Sequence, residues 1–360
     1  MDNKNLKTPL YEHHIKSGAK MVSFSGYDMP IQYEGIKAEH LHTRASCGVF
    51  DVSHMGQFLI KGKRAAEELG KLTPYNFSKL PVHKCRYTVF CTPEGGIIDD
   101  LIVTKLADDA FYLVVNGATL EGDREWLWKN LPNDVTLEDM TEFGLIAVQG
   151  PKAEEAMHLI FDEIEFSILK KMNYVDAVFE GHPCRVTRTG YTGEDGFEIS
   201  IANDMIPALW EDLMAKPDVK PIGLGARDSL RLEVGFPLYG HDMDHNTTPF
   251  EASLGWIVDK THDGYIGCEL IEGQRNQGIP RKRVGLTILD KGIAREGAVI
   301  FSENGEEIGK VTSGGFSPTL DRAVAMGYVS TSSSSTDTPV LIDVRGRKLK
   351  AKVSPLNHLK

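Results

Sequence analysis

The sequence contains few cysteines, and they lack the spacing of a metal site or a disulfide framework. Its 360 residues include five cysteines, an odd number, and no Cys-x-x-Cys pair. Structural zinc sites and disulfide-stapled domains depend on closely and regularly spaced cysteines, so we expect neither a bound metal nor disulfides. Unpaired thiols are typical of a reducing compartment, and we therefore expect a cytoplasmic protein.

Long hydrophobic segments are also missing. No apolar run approaches the roughly 20 residues that a transmembrane helix requires. The N-terminal stretch Met-Asp-Asn-Lys-Asn-Leu-Lys has no apolar core of the kind found in signal peptides. We expect neither a membrane-spanning helix nor a secretory leader.

Positive charge is not concentrated anywhere in the chain. The 40 basic and 51 acidic residues give a net charge of −11, and the densest basic cluster is the triplet Arg281, Lys282 and Arg283. Proteins that bind duplex nucleic acid carry a clustered basic face. We therefore expect neither nucleic acid nor an anionic membrane as the main partner.

Several common catalytic and nucleotide-binding motifs are absent. The segment Gly-Leu-Gly-Ala-Arg at 223–227 has the spacing of neither a dinucleotide-binding loop nor a P-loop, and no Gly-x-Ser-x-Gly occurs. His54 could be catalytic, but no nucleophile lies near it in the sequence. The remaining histidine pairs lack a second ligand cluster at zinc spacing and are more typical of surface or core histidines.

The composition is that of a folded globular protein, with 41% hydrophobic and 25% charged residues. A chain of this length favours two or three domains. Apolar strands at 87–91, 97–106 and 111–115, separated by turn residues and followed by a helix at 117–129, indicate an α+β layer. After about Gly285, short apolar runs between Gly, Asn, Asp and Ser turns predict a small β-barrel or sandwich.

Two adjacent carboxylates, Asp99 and Asp100, interrupt the strongly apolar strand at 97–106. Adjacent strand residues point to opposite faces, so at most one of the two can point into a covered side. A carboxylate in apolar surroundings suits a general acid or base, or a group that stabilises a cation. The alternative, equally open from the pattern alone, is an edge strand whose charges discourage pairing.

A third carboxylate, Glu198, lies in a predicted strand that alternates in polarity. Phe197, Ile199 and Ile201 share one face, whereas Glu198 and Ser200 share the other. The pattern favours a solvated face for Glu198. The alternative is a carboxylate that accepts paired N–H groups of a planar heterocycle.

Arg227 stands near the start of a predicted helix, where a positive charge opposes the helix dipole. A cation in that position usually has a partner. The sequence offers a salt bridge with Asp228 or Glu233, or alternatively a ligand.

Several segments occur in a fixed order along nearly the whole chain. They are Phe-Asp-Val-Ser-His-Met-Gly at 50–56, the stretch at 94–104 around Gly-Gly-Ile-Ile-Asp-Asp, Val-Gln-Gly-Pro at 148–151, and those at 188–200, 223–233, 238–244, 247–251 and 311–318. Each motif alone is moderately specific, but the ordered set is highly specific. With this set the chain resembles the T-protein of the glycine cleavage system, a family of aminomethyltransferases.

The resemblance implies an α+β fold of three domains arranged as a cloverleaf around a folate channel. It implies a discontinuous first domain, an antiparallel sheet with helices over residues 1–55 and 142–270. The second domain would be an α+β meander with helices over 56–141. The third would be an antiparallel β-barrel or jelly roll over 280–360.

The resemblance also implies a reaction. Family members take an aminomethyl group from the lipoyl arm of H-protein and transfer its carbon to tetrahydrofolate, as a co-substrate. They release ammonia and form 5,10-methylenetetrahydrofolate and the dihydrolipoyl arm. The expected partners are therefore lipoylated H-protein and tetrahydrofolate.

Matching positions carry the family's functional residues onto this chain. The implied catalytic residue is Asp100, whose carboxylate would stabilise the positive carbon and orient or deprotonate the attacking amine. The implied folate-binding residues are Glu198, Arg227, Tyr87, Asn116 and Tyr191. Arg295 is implied at the lipoyl entrance. The tail at 353–360 lacks the aromatic residues that many members carry there, so tail contacts with folate are not implied.

Two alternatives use the same fold. One is another folate-dependent one-carbon transferase, such as a demethylase of a sulfonium or methylamine compound. The intact Gly-Gly-Ile-Ile-Asp-Asp segment favours aminomethyl transfer over it. The other is a folate-binding accessory protein of iron–sulfur assembly, but the Lys-Gly-Cys-Tyr-x-Gly-Gln-Glu motif of those relatives is absent here.

Overall fold

The computed structural model describes residues 5–360 and forms two compact units. Unit 1 contains the residues up to Glu68 together with Phe77–Tyr87 and Leu101–Asp228. Unit 2 contains Leu69–Asn76, Thr88–Asp100 and Ser229–Lys360. The division into three domains that the resemblance implies stays a prediction.

A six-stranded sheet forms the centre of unit 1. All its neighbouring strands are antiparallel except the last pair, which is parallel. In spatial order its strands are Tyr174–Phe179, His182–Thr187, Gly196–Ala202, Phe143–Gln149, Cys47–Asp51 and Val219–Pro221.

One face of this sheet is covered by helices. Phe197, Ile199 and Ile201 alternate along their strand and are all completely buried, as the sequence predicts. They pack in a core with the helices Ala153–His158 and Ile206–Met214. Each such side chain contributes about 1.5–3 kcal/mol by leaving water, so this core fixes the strand that carries Glu198.

A five-stranded sheet contains the predicted meander. In spatial order its strands are Cys85–Cys91, Ile97–Ala107, Ala110–Val115, Gly56–Lys61 and Thr136–Asp139. The helix that follows the meander is Leu120–Asn130. The predicted start at residue 117 is wrong because residues 116–119 form a turn, in which the Thr119 amide donates to the Asn116 carbonyl.

The remaining elements before the C-terminal region are short. A three-stranded sheet has the order Leu6–Lys7, Tyr27–Gln32, Lys20–Phe24. The other helices are Tyr11–Lys16, Ile36–Ala45, Ala65–Leu72, Leu224–Val234 and Cys268–Gln277. No helix among residues 5–360 is long and apolar enough to cross a membrane.

The C-terminal part of unit 2 is a closed six-stranded barrel, which confirms the predicted all-β region. The side chains of Leu286, Ile300 and Ile342 are completely buried in its core. Around the barrel the strands are Arg281–Ile288, Arg322–Ser330, Glu307–Ser317, Val299–Phe301, Pro339–Val344 and Arg347–Ser354.

The last residues of the chain are anchored within unit 2. The His358 amide donates to the Glu233 carbonyl at 2.8 Å, and the His358 side chain is buried. The Glu233 carboxylate in turn accepts hydrogen bonds from Ser317 Oγ at 2.5 Å and Thr319 Oγ1 at 2.9 Å. The tail is therefore part of the fold of unit 2.

Burial of His358 predicts that acid destabilises the protein. Burial lowers the pKa of His358 from 6.5 to about 4. The unfolded chain takes up a proton near pH 6.5, whereas the folded chain does not until about pH 4. The free energy of unfolding should therefore fall with falling pH, by about 2 kcal/mol between pH 7 and pH 5 from this group.

Urea unfolding of the wild type and of His358→Gln at pH 7 and pH 5 measures this contribution. The variant should lose less stability than the wild type over that interval. The same substitution at the exposed His182 serves as the control and should leave the pH dependence as it is. Equal pH dependence in wild type and His358→Gln would contradict the assignment.

Candidate functional site

The residues that the resemblance assigns to folate binding all lie in unit 1. Each of them is half-buried. They come from two strands, two loops and the first turn of a helix. They are Tyr87, Asn116, Tyr191, Glu198 and Arg227.

Glu198 is held by threonines of the neighbouring strand and the loop that follows it. Thr189 Oγ1 donates a hydrogen bond to Glu198 Oε2 at 2.5 Å. Thr187 Oγ1 lies 2.7 Å from Thr189 Oγ1 and also donates to the Glu198 carbonyl at 3.3 Å. A hydroxyl donor on one carboxylate oxygen fixes the direction of the carboxylate, and the other oxygen keeps its acceptor capacity.

Loss of the Thr189 hydroxyl should weaken ligand binding without removing any residue that contacts the ligand. We expect Thr189→Val, which keeps the shape of the side chain, to weaken tetrahydrofolate binding by about tenfold, since a hydrogen bond to a charged group is lost. Thr189→Ser, which keeps the hydroxyl, is the matched control and should bind within about twofold of wild type. Titration calorimetry of both variants measures the effect. Equal affinities of the two would contradict this role for the hydroxyl.

The face of the strand that carries Glu198 is covered in part. Glu198 is half-buried, whereas Ser200, on the same face, is only 4% exposed. Its Oγ donates to Gln57 Oε1 at 2.5 Å, and Tyr112 OH donates to the same oxygen at 2.7 Å. Gln57 and Tyr112 belong to the five-stranded sheet, which therefore covers this face with polar side chains.

The same polar layer includes Cys85 of the five-stranded sheet. Burial raises the pKa of the Cys85 thiol to about 12, and the negative charge of Glu198 contributes to the rise. Thr104 Oγ1 donates to Cys85 Sγ at 3.3 Å. Tyr87 follows two residues later in the strand and so shares a face with Cys85. The strand alternation thus directs Tyr87 toward the layer that contains Glu198.

Arg227 lies over the ring of Tyr191. The Arg227 guanidinium carbon is 4.9 Å from the centre of the Tyr191 ring. Burial lowers the pKa of Arg227, while the negative charge of Glu198 acts in the opposite direction. Arg227 Nη1 is buried and has no hydrogen-bond partner within the described part of the chain. The arrangement offers a fixed donor and a fixed carboxylate acceptor in one half-buried site.

Asp99 and Asp100 lie at the end of a segment of unit 2. Asp99 is completely buried and Asp100 is half-buried, so the two face different surroundings, as the strand alternation predicts. The strand Ile97–Ala107 has a neighbour on each side in the five-stranded sheet, but its pairing with Ala110–Val115 covers Ile102–Ala107 and does not extend to Asp99 and Asp100. The alternative of an edge position for these two carboxylates therefore stays open. The catalytic role of Asp100 stays a prediction.

The start of this strand is fixed by its backbone. The Ile97 amide lies 3.1 Å from the carbonyls of both Asp244 and Thr247. A Cβ added to Gly96 would lie 1.7 Å from the His245 carbonyl oxygen. Only glycine permits this approach, so Gly96 sets the position of the segment that carries Asp99 and Asp100 within unit 2.

Arg295 lies on the barrel and is exposed. Its Nη1 donates to the Gly314 carbonyl at 3.1 Å. Together with Glu296, Asp343 and Arg345 it lines an open cleft of about 620 Å³. A role at the lipoyl entrance stays a prediction. Among residues 5–360, no group of three or more His, Cys, Asp and Glu side chains could hold a metal ion.

Comparison with known proteins places the chain in a family. The family model described as the GCVT N-terminal domain matches residues 10–262, and that of the glycine cleavage T-protein C-terminal barrel domain matches residues 281–360. An aminomethyltransferase of Bacteroides thetaiotaomicron is 44% identical over 351 residues, which cover 96% of this chain and 97% of that protein. An aminomethyltransferase of Picosynechococcus is 41% identical and covers 96% of both.

A solved structure agrees with these relatives. The crystal structure of the glycine cleavage system aminomethyltransferase T from Bartonella henselae superposes with a TM-score of 0.93 and 38% identity, covering 98% of both chains. The chain belongs to the glycine cleavage T-protein family. It is an aminomethyltransferase of the glycine cleavage system. The family resemblance and the α+β fold class with its C-terminal barrel are thereby confirmed.

Proposed function

We propose that this chain transfers the carbon of an aminomethyl group, carried on the lipoyl arm of an H-protein, to tetrahydrofolate. In this reaction the C–S bond to the lipoyl arm and the C–N bond to the amino group break. Two bonds from the carbon to folate nitrogens form. One of the two protons lost from those nitrogens leaves with ammonia, and the other ends on the dihydrolipoyl thiol.

The observation that carries the proposal is the fixed pair formed by Glu198 and Arg227. A pterin presents a 2-amino group and a ring N–H as adjacent donors, which one carboxylate accepts together. Thr189 occupies one oxygen of Glu198 and so fixes the direction of the carboxylate. Arg227 supplies the complementary donor fork for pterin acceptors, and its buried Nη1 has no partner within residues 5–360. Such a donor set fits tetrahydrofolate.

Tyr191, Tyr87 and Asn116 complete the proposed folate side. The Arg227 guanidinium carbon lies 4.9 Å from the centre of the Tyr191 ring, and this contact reduces the number of orientations the long side chain can adopt. Tyr87 and Asn116 are half-buried and offer a phenol and an amide to the ligand. Their part in folate binding rests on the family motif.

Asp100 is the proposed catalytic residue. Breaking the C–S bond leaves positive charge on an iminium carbon, which a carboxylate stabilises. The same carboxylate can orient the attacking folate nitrogen or accept its proton. Support comes from the matching motif and from the partial exposure of Asp100, which contrasts with the complete burial of Asp99.

The lipoylated H-protein is the proposed partner, and Arg295 is the proposed contact at the lipoyl entrance. Arg295 is exposed and borders an open cleft, as a partner contact requires. We also propose a cytoplasmic location, since all five cysteines are free thiols.

A turnover assay tests the proposed function. Purified protein is mixed with tetrahydrofolate and aminomethyl-loaded lipoyl H-protein, and ammonia and methylenetetrahydrofolate are followed together. We expect both products in equal amounts, and neither without the protein. Folate binding without turnover would contradict the proposal and would direct a screen toward methylated amines and sulfonium compounds.

A further inference from the structure

His54 is a buried side chain that the proposed reaction leaves without a role. It is 5% exposed, and its Nδ1 is buried without a hydrogen-bond partner within the described residues. Buried polar atoms in folded proteins are nearly always hydrogen-bonded, so an unpartnered one calls for a specific reason. A binding partner from outside the chain supplies such a reason.

The surroundings of the ring are well defined within unit 1. The Phe24 ring meets the imidazole edge-on, with ring centres 5.4 Å apart. On another side is Gly117, where an added Cβ would lie 3.2 Å from His54 Cδ2 and 2.4 Å from the His54 carbonyl oxygen. Gly117 directly follows Asn116, one of the proposed folate-binding residues. Two neighbours thus hold the ring by packing.

The backbone that carries His54 is also fixed. The Asp51 carboxylate accepts the Ser53 amide at 2.9 Å and lies 2.9 Å from the buried His14 Nε2. Ser53 Oγ donates to the Leu145 carbonyl at 3.2 Å. The bonds of Ser53 to Asp51 and to Leu145 fix the backbone just before His54. The imidazole therefore has little freedom to reach another partner.

The charge state of His54 follows from its neighbours. Burial and the positive charge of Arg227 together lower the pKa of His54 to about 4, and the negative charge of Asp51 acts against them. The imidazole is therefore neutral near pH 7, and its tautomer decides whether Nδ1 donates or accepts.

We propose that His54 is a further ligand-contacting residue of the folate side, whose Nδ1 exchanges a hydrogen bond with the bound tetrahydrofolate. This inference rests on the proposed function. His54 Nδ1 is a buried polar atom without a partner within residues 5–360, and the His54 ring packs against Gly117, the residue after Asn116 in unit 1. A polar ligand edge beside Asn116 supplies the missing partner of Nδ1.

Three substitutions distinguish the contribution of Nδ1 to affinity from the contribution of the ring's shape. His54→Asn places an amide near the position of Nδ1, His54→Gln places it near Nε2, and His54→Leu removes both. We expect His54→Leu and His54→Gln to weaken tetrahydrofolate binding at least tenfold, and His54→Asn to bind within about threefold of wild type. Calorimetric titration with tetrahydrofolate, without H-protein, measures these affinities.

Two further comparisons control for lost packing and for lost folding. Phe24→Leu removes ring packing and keeps Nδ1, so it should change affinity less than His54→Leu. If His54→Leu does not fold, the Asn and Gln variants still differ in the position of one polar group, and equal affinities for them would overturn the proposal. Unchanged affinity in His54→Leu would overturn it as well.

Different results would contradict the proposed function. If the wild type does not bind tetrahydrofolate, or if Glu198→Ala binds as well as wild type, the folate side itself is misplaced. If Glu198→Ala weakens binding and the His54 variants do not, only the assignment of His54 is wrong.

Discussion

Asp100→Asn should fold normally, bind tetrahydrofolate with nearly unchanged affinity and lose most of its turnover. The amide is close in size to the carboxylate but carries no charge and accepts no proton. A positioned acid or base and a charge that stabilises a cation each contribute about 10²–10⁴-fold in rate, so we expect kcat to fall at least about 100-fold.

The control is a carboxylate of the same segment with a different exposure. Glu94 is exposed, and Glu94→Gln should keep the wild-type rate. Turnover is followed as ammonia release with loaded H-protein in excess, and folate affinity is measured separately. Near-normal turnover of Asp100→Asn would remove Asp100 from the mechanism, whereas loss of folate affinity alone would make it a binding residue.

Glu198→Ala should have the largest effect on folate affinity. The pterin donors would lose a charged acceptor, and such a hydrogen bond contributes about 1.5–3 kcal/mol, or roughly 10- to 150-fold in the dissociation constant. Arg227 would also lose the negative charge that acts on it. Glu198→Gln, which keeps one acceptor oxygen, should fall between Ala and wild type.

Calorimetric titration with tetrahydrofolate distinguishes these variants. Glu142→Ala is a suitable control, because Glu142 is exposed and its backbone carbonyl, which the substitution keeps, accepts the Asn203 amide at 2.8 Å. It should bind like wild type. An unchanged dissociation constant in Glu198→Ala would place the pterin elsewhere.

Local patterns predicted much of the fold. The barrel strands after Gly285 and the meander that contains Asp99 and Asp100 come from alternation and turn residues within about ten positions, which a single sequence displays. The buried face of Phe197, Ile199 and Ile201 follows for the same reason.

Contacts between distant parts of the chain could not be predicted in this way. The pattern around Glu198 is that of a half-exposed strand, and what covers its polar face is Gln57, 143 residues away from Ser200. Polarity alone cannot distinguish water from a polar covering sheet. One sequence feature pointed to Thr189. It lies two residues after Thr187, which ends the strand that pairs with the strand of Glu198.

His54 was visible as a histidine without a nucleophile nearby, but not as a site residue. Its neighbours Phe24 and Gly117 are 30 and 63 positions away in the printed sequence. No periodicity brings such residues together, and only the fold of unit 1 does.

The close approach of the His245 carbonyl to Gly96 makes position 96 sensitive to every substitution, whatever the chemistry of the new side chain. Every base change that replaces a glycine codon with that of another residue adds a Cβ, and here even alanine meets main-chain oxygen. Neither charge nor polarity of the new side chain matters. In a saturation mutagenesis library selected for growth on glycine-derived one-carbon units, position 96 should therefore tolerate no substitution, although Gly96 takes part in no step of the proposed reaction.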